Sequence, residues 1–367
     1  SPARAVVVVM RYALRASLTP VAAVTISVPA IQASYHLQWK AAVRESAVTW
    51  NPIVGCSVVS PGCTNCYAMR LAGTRLQLTT AYRGLTQESK AGPVWNGKVR
   101  LLENRLTDPL RWRAPKDGTR RRVFVNSMGD LFHELVSEEW IDRVLGTIAL
   151  APHHDFLVLT KRAERMHDFM QTPKRIWKIF EAVRRFVDNE YRENARFELD
   201  ETPWPWPLPN LWLGISAEDQ QRANQRIPLL LATPAAVRFI SAEPLLGPVD
   251  LRAVSTAAIS AAAGNKLSDC LHWVIVGGES GKDARPFDLD WATSIINQCR
   301  GAGIPCFVKQ LGSLPFSATK KPPFTLWQID DGPSAYETGP FYADLRNSKG
   351  GDPAEWPKNL RVREMPR

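Results

Sequence analysis

From Val48 onward, short β-branched or aromatic runs alternate with longer amphipathic stretches. Seven runs read as strands: SAVTWN, RRVFVNS, DFLVLT, NLWLGIS, VRFISAEP, HWVIVGGES and PCFVKQLG. Between most of them lie helical patterns: CYAMRLAGTRLQ, SEEWIDRVLGTIALA, KRAERMHDFM, AEDQQRANQRIPLLLA and LDWATSIINQCRGAG. The strands are apolar nearly throughout, which predicts a parallel sheet covered on both faces. No glycine-rich dinucleotide fingerprint follows an early strand, so the alternation predicts an α/β chain built as a parallel β/α barrel, full or partial and TIM-like, rather than a doubly wound sheet. The barrel is expected over residues 45–312, with insertions at 173–209 and 251–270. The first insertion carries a basic helical run and then WPWP, whose tryptophans are expected to staple it to the barrel. Residues 1–44 are expected to form a disordered or loosely packed extension, and residues 313–367 an irregular tail.

In parallel barrels, chemistry collects where strands end and loops begin. Here those ends are polar or glycine-bearing: Asn126–Asp130, Thr160–Arg162, Ser216–Asp219, Ser241–Pro244, Gly277–Ser280 and Lys309–Gln310. A cysteine-rich loop, GCSVVSPGCTNCYA, follows the first strand and so opens on the same face. Convergent loops at one mouth make a site.

Cys56, Cys63 and Cys66 lie within eleven residues. Three thiolates hold three irons of a cubane cluster and leave the fourth iron open. A structural zinc site normally closes with four protein ligands, so a local three is one short unless Cys270 or a histidine completes it. A dithiol at Cys63–Cys66 is a third reading of the same spacing. Cys270, Cys299 and Cys306 read as buried apolar residues, His153 and His154 as surface groups before a strand, and His133 as a packing residue near the mouth.

Composition narrows the partners more than the fold. There are 46 Lys+Arg against 36 Asp+Glu, a formal charge of +10, which favours a polyanionic partner such as nucleic acid. Six cysteines in 367 residues, three of them clustered, suggest metal or redox chemistry in a reducing compartment, hence a cytoplasmic location. The first 44 residues lack Asp and Glu, and their apolar runs are broken by Pro20 and Pro29. No run reaches the ~18 apolar residues of a membrane span.

The blocks TWNPIVGCSVVSPGCTNCYA, VFVNSMGDLFH, FLVLTKRAERM, LWLGISAEDQ, RFISAEPLLGPVDL, VIVGGESGKDARP and FVKQLG run in that order across residues 48–312. Together they resemble radical S-adenosylmethionine enzymes and, more narrowly, the phage-associated three-cysteine family of uncharacterised radical-SAM-like proteins. The resemblance implies a four-iron–four-sulfur (4Fe-4S) cluster on Cys56, Cys63 and Cys66, with S-adenosyl-L-methionine at the barrel mouth. Reductive cleavage of that cofactor would act on an unknown substrate, for which a nucleic acid, a nucleotide or an associated protein is favoured. A flavodoxin or ferredoxin is implied as electron donor. By the same resemblance Asn126, Ser127, Gly129 and Asp130 would meet the cofactor's amino group, and Ser216 and Glu218 its ribose. Gly277 and Gly278 would admit its adenine or methionine portion, and Glu243 and Glu279 would accept hydrogen bonds at the mouth. Lys161 and Lys309 are candidates for a substrate carboxylate or phosphate. The common spacing in that superfamily is C-x3-C-x2-C, with an aromatic residue before the third cysteine. Here it is C-x6-C-x2-C, and Asn65 takes that place. Two other readings remain: a non-catalytic, zinc-stabilised nucleic-acid-binding protein, and a cluster protein that transfers a methyl or aminocarboxypropyl group.

Overall fold

The computed structural model describes residues 48–186, 204–253, 266–318, 326–327 and 341–366. The expected N-terminal extension and much of both insertions lie outside the described residues. Seven strands form one sheet: β1 (Val48–Trp50), β2 (Arg121–Val125), β3 (His154–Thr160), β4 (Leu211–Ser216), β5 (Val237–Ala242), β6 (Trp273–Gly277) and β7 (Cys306–Gln310). They pair in chain order and all in parallel. Within this sheet β1 pairs only with β2 and β7 only with β6, so it curls into a half-barrel and stays open on one side.

Helices cover the convex face: α1 (Tyr67–Gly73), α2 (Glu138–Leu150), α3 (Ala163–Gln171), α4 (Arg175–Phe186), α5 (Gln220–Ala232) and α6 (Leu289–Ala302), with α1 set apart beside the cysteine loop. Three of them begin on side-chain caps. Ser137 accepts from Trp140 N, Asp219 from Arg222 N and Asp288 from Asp290 N, each satisfying an otherwise orphaned donor. Gly303 ends α6 at φ 71°, a left-handed turn that glycine adopts without strain.

Alternate strand residues face opposite layers. Phe156, Leu213, Ile240 and Val274 join the core under the helices, with Ile141, Leu145, Met166 and Leu230. Leu157, Trp212, Phe239, Trp273, Ile275 and Phe307 form a second cluster on the concave face. Trp273 is its hub, with ring centroids 6.3 Å from Trp212, 6.0 Å from Phe239 and 5.9 Å from Phe307. The concave face is thus floored by aromatic rings below a polar rim. Gly214 belongs to that floor: a Cβ there would stand 2.4 Å from the Phe239 ring.

Beyond residue 312, where an irregular tail is expected, some of the described residues form strands. Phe287–Asp288, Pro315–Ser317, Leu326–Trp327 and Phe341–Ala343 form a small four-stranded sheet. Strands of two or three residues are too short for any hydrophobic period to betray. Farther on, Val308 N donates to Val362 O at 2.9 Å and Glu364 N to Cys306 O at 2.9 Å, so this segment covers the exposed edge of β7. The Trp273 indole donates to Glu364 O at 2.9 Å, and Met365 packs on the aromatic floor. In the first insertion, Trp204 and Trp206 pack against the main core, and Trp204 lies 5.8 Å from Phe180. His154 departs from expectation: it opens β3 and is 0% exposed, because its position falls on the helix-covered face. Among the described residues no helix is long and apolar enough to cross a membrane.

Gly214→Ala should destabilise the fold by about 1–3 kcal/mol through overpacking against Phe239. Phe239→Leu in the same chain should restore part of the loss, as read from the midpoint of denaturant unfolding.

Candidate functional site

The cysteine loop leaves β1 through Gly55, whose φ is 92°. A Cβ at Gly55 would stand 2.2 Å from Lys98 O, so only glycine passes there. Gly55 N donates to Met128 O at 3.0 Å, tying the loop to the segment after β2. From that point the loop crosses the mouth, and a charged group grips it beside each cysteine.

At Cys56 the grip is Arg162. Its Nη1 lies 3.7 Å from Cys56 Sγ and 3.0 Å from Asp130 Oδ2, and its Nη2 donates to Ser57 Oγ at 2.6 Å. Asp130 also accepts from Thr160 Oγ1 at 2.7 Å and from Phe132 N at 2.9 Å. His133 Nε2 lies 3.0 Å from the same Ser57 hydroxyl.

At Cys63 the grip is Glu218, which is 0% exposed. Its Oε1 accepts from Ser60 Oγ at 2.6 Å and lies 3.2 Å from Lys161 Nζ. Its Oε2 pairs with Arg226 Nη1 at 2.9 Å. Gly62 lies against this carboxylate so closely that a Cβ would meet its Oε1 at 2.4 Å. Burial pushes the Glu218 pKa up, but Lys161, Arg226 and the Ser60 hydroxyl more than offset it and hold it down at about 2.

At Cys66 the grip is Glu279. It accepts from Asn65 Nδ2 at 2.9 Å and takes Arg285 in a fork at 2.8 and 3.0 Å. Arg285 Nη1 reaches on to Pro61 O at 2.8 Å. The three clamps come from the ends of β2 and β3, β4, and β6, so the loop is stretched across most of the half-barrel.

Cys63 is buried, and Cys56 and Cys66 are half-buried. Burial pushes Cys56 up to about 12, with Asp130 adding to the rise and Arg162 opposing it. Burial likewise raises Cys66, and Cys63 adds to that rise. Among the described residues no three His, Cys, Asp or Glu side chains converge closely enough to hold a metal ion. The three thiols nevertheless sit near enough for each of the other two to perturb Cys56. A ligand binding them must displace protons, and Arg162 and Lys161 stand nearby to offset thiolate charge. That donor set is all sulfur and spread along one loop. Cys270, Cys299 and Cys306 are buried at the other end of the sheet, at or before the starts of β6 and β7, where Cys270 cannot complete a set at this loop.

Beside the loop lies a cavity of about 1030 Å³. Every strand supplies residues to it from its C-terminal end, among them Asn51, Ser127, Lys161, Ser216, Ser241 and Gln310. Cys66, Gly278, Glu279, Glu243 and Lys309 also line it. Glu243 and Lys309 pair with each other at 2.8 Å. Gln310 is 4% exposed; its Nε2 donates to Gly278 O at 2.8 Å while its Oε1 has no partner, an acceptor left ready at the wall.

Of the residues singled out from the sequence, Ser127, Ser216, Glu243, Gly278, Glu279, Lys161, Lys309 and Cys66 are brought together around this cavity. Cys56, Cys63, Asn126, Gly129, Asp130, Glu218 and Gly277 are not among its lining residues. Asn126, at φ 55°, accepts from Ile53 N at 3.1 Å, and Gly129 packs against the Gly55 carbonyl, so both support the loop from beneath. Gly277 allows Glu243 within 3.3 Å of where its Cβ would be. Glu218 is assigned to a cofactor ribose by resemblance, yet both its oxygens are engaged within the protein. Ser60, Asn65, Arg226 and Arg285 have structural roles here that sequence reading passed over. Asn65 carried the one available signal, a polar residue where the resembling superfamily has an aromatic.

The chain matches, over residues 40–330, the family described as proteins of unknown function, DUF5131. It belongs to that family. No curated protein and no solved structure matches it. The DUF5131 match spans the cysteine loop, all seven sheet strands and the three clamps.

Two outcomes test the Glu218 clamp in this DUF5131 protein. Glu218→Ala leaves Lys161 and Arg226 without their shared carboxylate and should cost about 3–5 kcal/mol by thermal or denaturant unfolding. A carboxyl whose pKa is depressed in the folded chain lends stability above its unfolded value, here 4.5, and loses it as pH falls toward about 2. The wild-type melting temperature should therefore fall across that window more steeply than that of Glu218→Gln.

Proposed function

We propose that the protein is a radical-SAM-like iron–sulfur enzyme whose half-barrel mouth is its active site. One observation carries the reading: a single clamped loop bears three thiols, one of which, Cys66, lines a large cavity to which every strand of a parallel sheet contributes. Cys56, Cys63 and Cys66 would hold a 4Fe-4S cluster, and S-adenosyl-L-methionine would lie in the adjoining cavity. When bound, this pair supplies one-electron chemistry: reductive cleavage of the cofactor with hydrogen abstraction from the substrate.

The protein's own contribution is positioning. Arg162, Glu218 and Glu279 fix the loop, so that the thiols present a preset spacing. Lys161 offsets thiolate charge near Cys66 while remaining paired to Glu218. Ser216, Ser241 and the unpartnered Gln310 oxygen offer hydrogen bonds to the polar parts of a bound molecule. The Glu243–Lys309 pair presents both signs of charge, suited to an amino-acid end group. Phe124 and Leu159, which pack on the aromatic floor, give the cavity an apolar base.

A second reading is a non-catalytic nucleic-acid-binding protein in which zinc pins the loop. His133, which reaches Ser57 beside Cys56, is the histidine available to it.

Anaerobic reconstitution separates the two. The enzyme reading expects a brown protein with about four irons per chain and release of 5′-deoxyadenosine that depends on reductant. Cys56→Ala, Cys63→Ala and Cys66→Ala should each lower iron content and abolish that release. A colourless protein holding about one zinc would overturn it in favour of the second reading.

A further inference from the structure

The cavity stands at the top of the ~300–1,000 Å³ range usual for pockets that enclose one small ligand. Past Cys66 and Tyr67 it continues into a lobe walled by residues 79–82 and 100–105. The chain from Tyr67 to Arg105 holds seven Arg or Lys residues against two Glu and no Asp. One of those two, Glu103, is already paired with Arg143.

Two guanidinium groups in the lobe wall form no ion pair among the described residues, although Arg105 stands close enough to Asp108 to oppose the rise of its pKa. Arg100 donates to the carbonyls of Thr80 and Ala81, each at 2.6 Å, and of Arg83 at 2.9 Å, which fixes the wall while leaving the positive charge uncompensated. Arg105 is anchored through its own carbonyl, which accepts from the Trp50 indole at 2.8 Å. Its side chain is exposed and forms no ion pair among the described residues. Aromatic faces lie along the same path. Tyr67, 37% exposed, stands at the junction of lobe and cysteine loop with its hydroxyl donating to Ser127 O at 2.8 Å, and Tyr82 lies farther along the wall.

Fixed cations alternating with aromatic faces along a groove are what an unpaired polynucleotide requires: phosphates meet the cations, and bases of any identity stack on the rings. A duplex does not suit a recessed lobe, since a base reaches Cys66 only by leaving its stack. We infer that this lobe binds single-stranded nucleic acid, pairing phosphates with Arg100 and Arg105 and stacking a base on Tyr67. What is then done to that base rests on the enzyme reading above; the binding itself does not.

The test is fluorescence anisotropy of the full-length, metal-free chain with labelled DNA and RNA strands of about 12 nucleotides, and with the matching duplex. Both single strands should bind more tightly than the duplex, and affinity should fall as salt rises. Arg105→Ala should shallow the log–log salt slope by about 0.7. Tyr67→Ala should weaken binding about 5- to 150-fold, whereas Tyr67→Phe, which keeps the ring, should stay near wild type. Affinity that ignores salt, a duplex bound more tightly, or variants indistinguishable from wild type would each overturn the inference. Equilibrium dialysis with S-adenosyl-L-methionine on the same preparation separates the two claims. Cofactor retained without oligonucleotide sinks this inference alone, and oligonucleotide bound by a chain that takes up no iron sinks only the enzyme reading.

Discussion

A carboxylate wholly removed from water, Glu218, is the group on which the cysteine loop depends. Moving a charge into the interior costs several kcal/mol even after relaxation, and only well-placed opposite charge and hydrogen bonds offset that cost. Glu218 meets the requirement with contributions from three separate elements: Lys161 from the end of β3, Arg226 from within α5, and Ser60 from the loop itself. None of these can be satisfied unless the others are in place. The loop is therefore locked by the completed sheet and helix layer rather than by its own local preferences, although it contains no helix or strand longer than three residues between Val54 and Tyr67.

The fold was legible because its strands are apolar on both faces. All seven fall within three residues of their observed ends, since a parallel sheet between a helix layer and an aromatic floor leaves few polar positions to blur the signal. The openness of the barrel was not legible, because whether β1 and β7 pair depends on curvature that no local pattern carries. The roles of the charged residues were harder still. A glutamate at a strand end looks the same in sequence whether it faces a ligand or a neighbour 158 residues away, as Glu218 faces Ser60. Glu243, Lys309 and Ser216 stayed on the cavity wall, while Asp130 and Glu218 turned to hold the loop. His154 was misread as exposed because its turn position outweighed the face it occupies.

The half-barrel divides its labour by depth. Low on the concave face, Trp212, Phe239, Trp273 and Phe307 interlock at edge-to-face and tilted angles. One layer higher the same strands end in Ser216, Ser241 and Lys309, and above these the loop carries the thiols. Rigid apolar packing below polar groups is an arrangement that holds reactive positions to narrow tolerances without strain in the sheet.

The long interval between the first two cysteines has a geometric meaning. Cys56 is tethered at the β2–β3 side through Arg162, and Ser60 and Gly62 are tethered at β4, before Cys63. A chain reaches at most about 3.5 Å per residue, so halving the intervening six residues would shorten the bridge by roughly 10 Å. One mooring or the other would have to be abandoned. The gap is the breadth of the opening written as a residue count, so a relative of this fold with a tighter cysteine repeat must carry either a narrower mouth or a loop anchored at one bank.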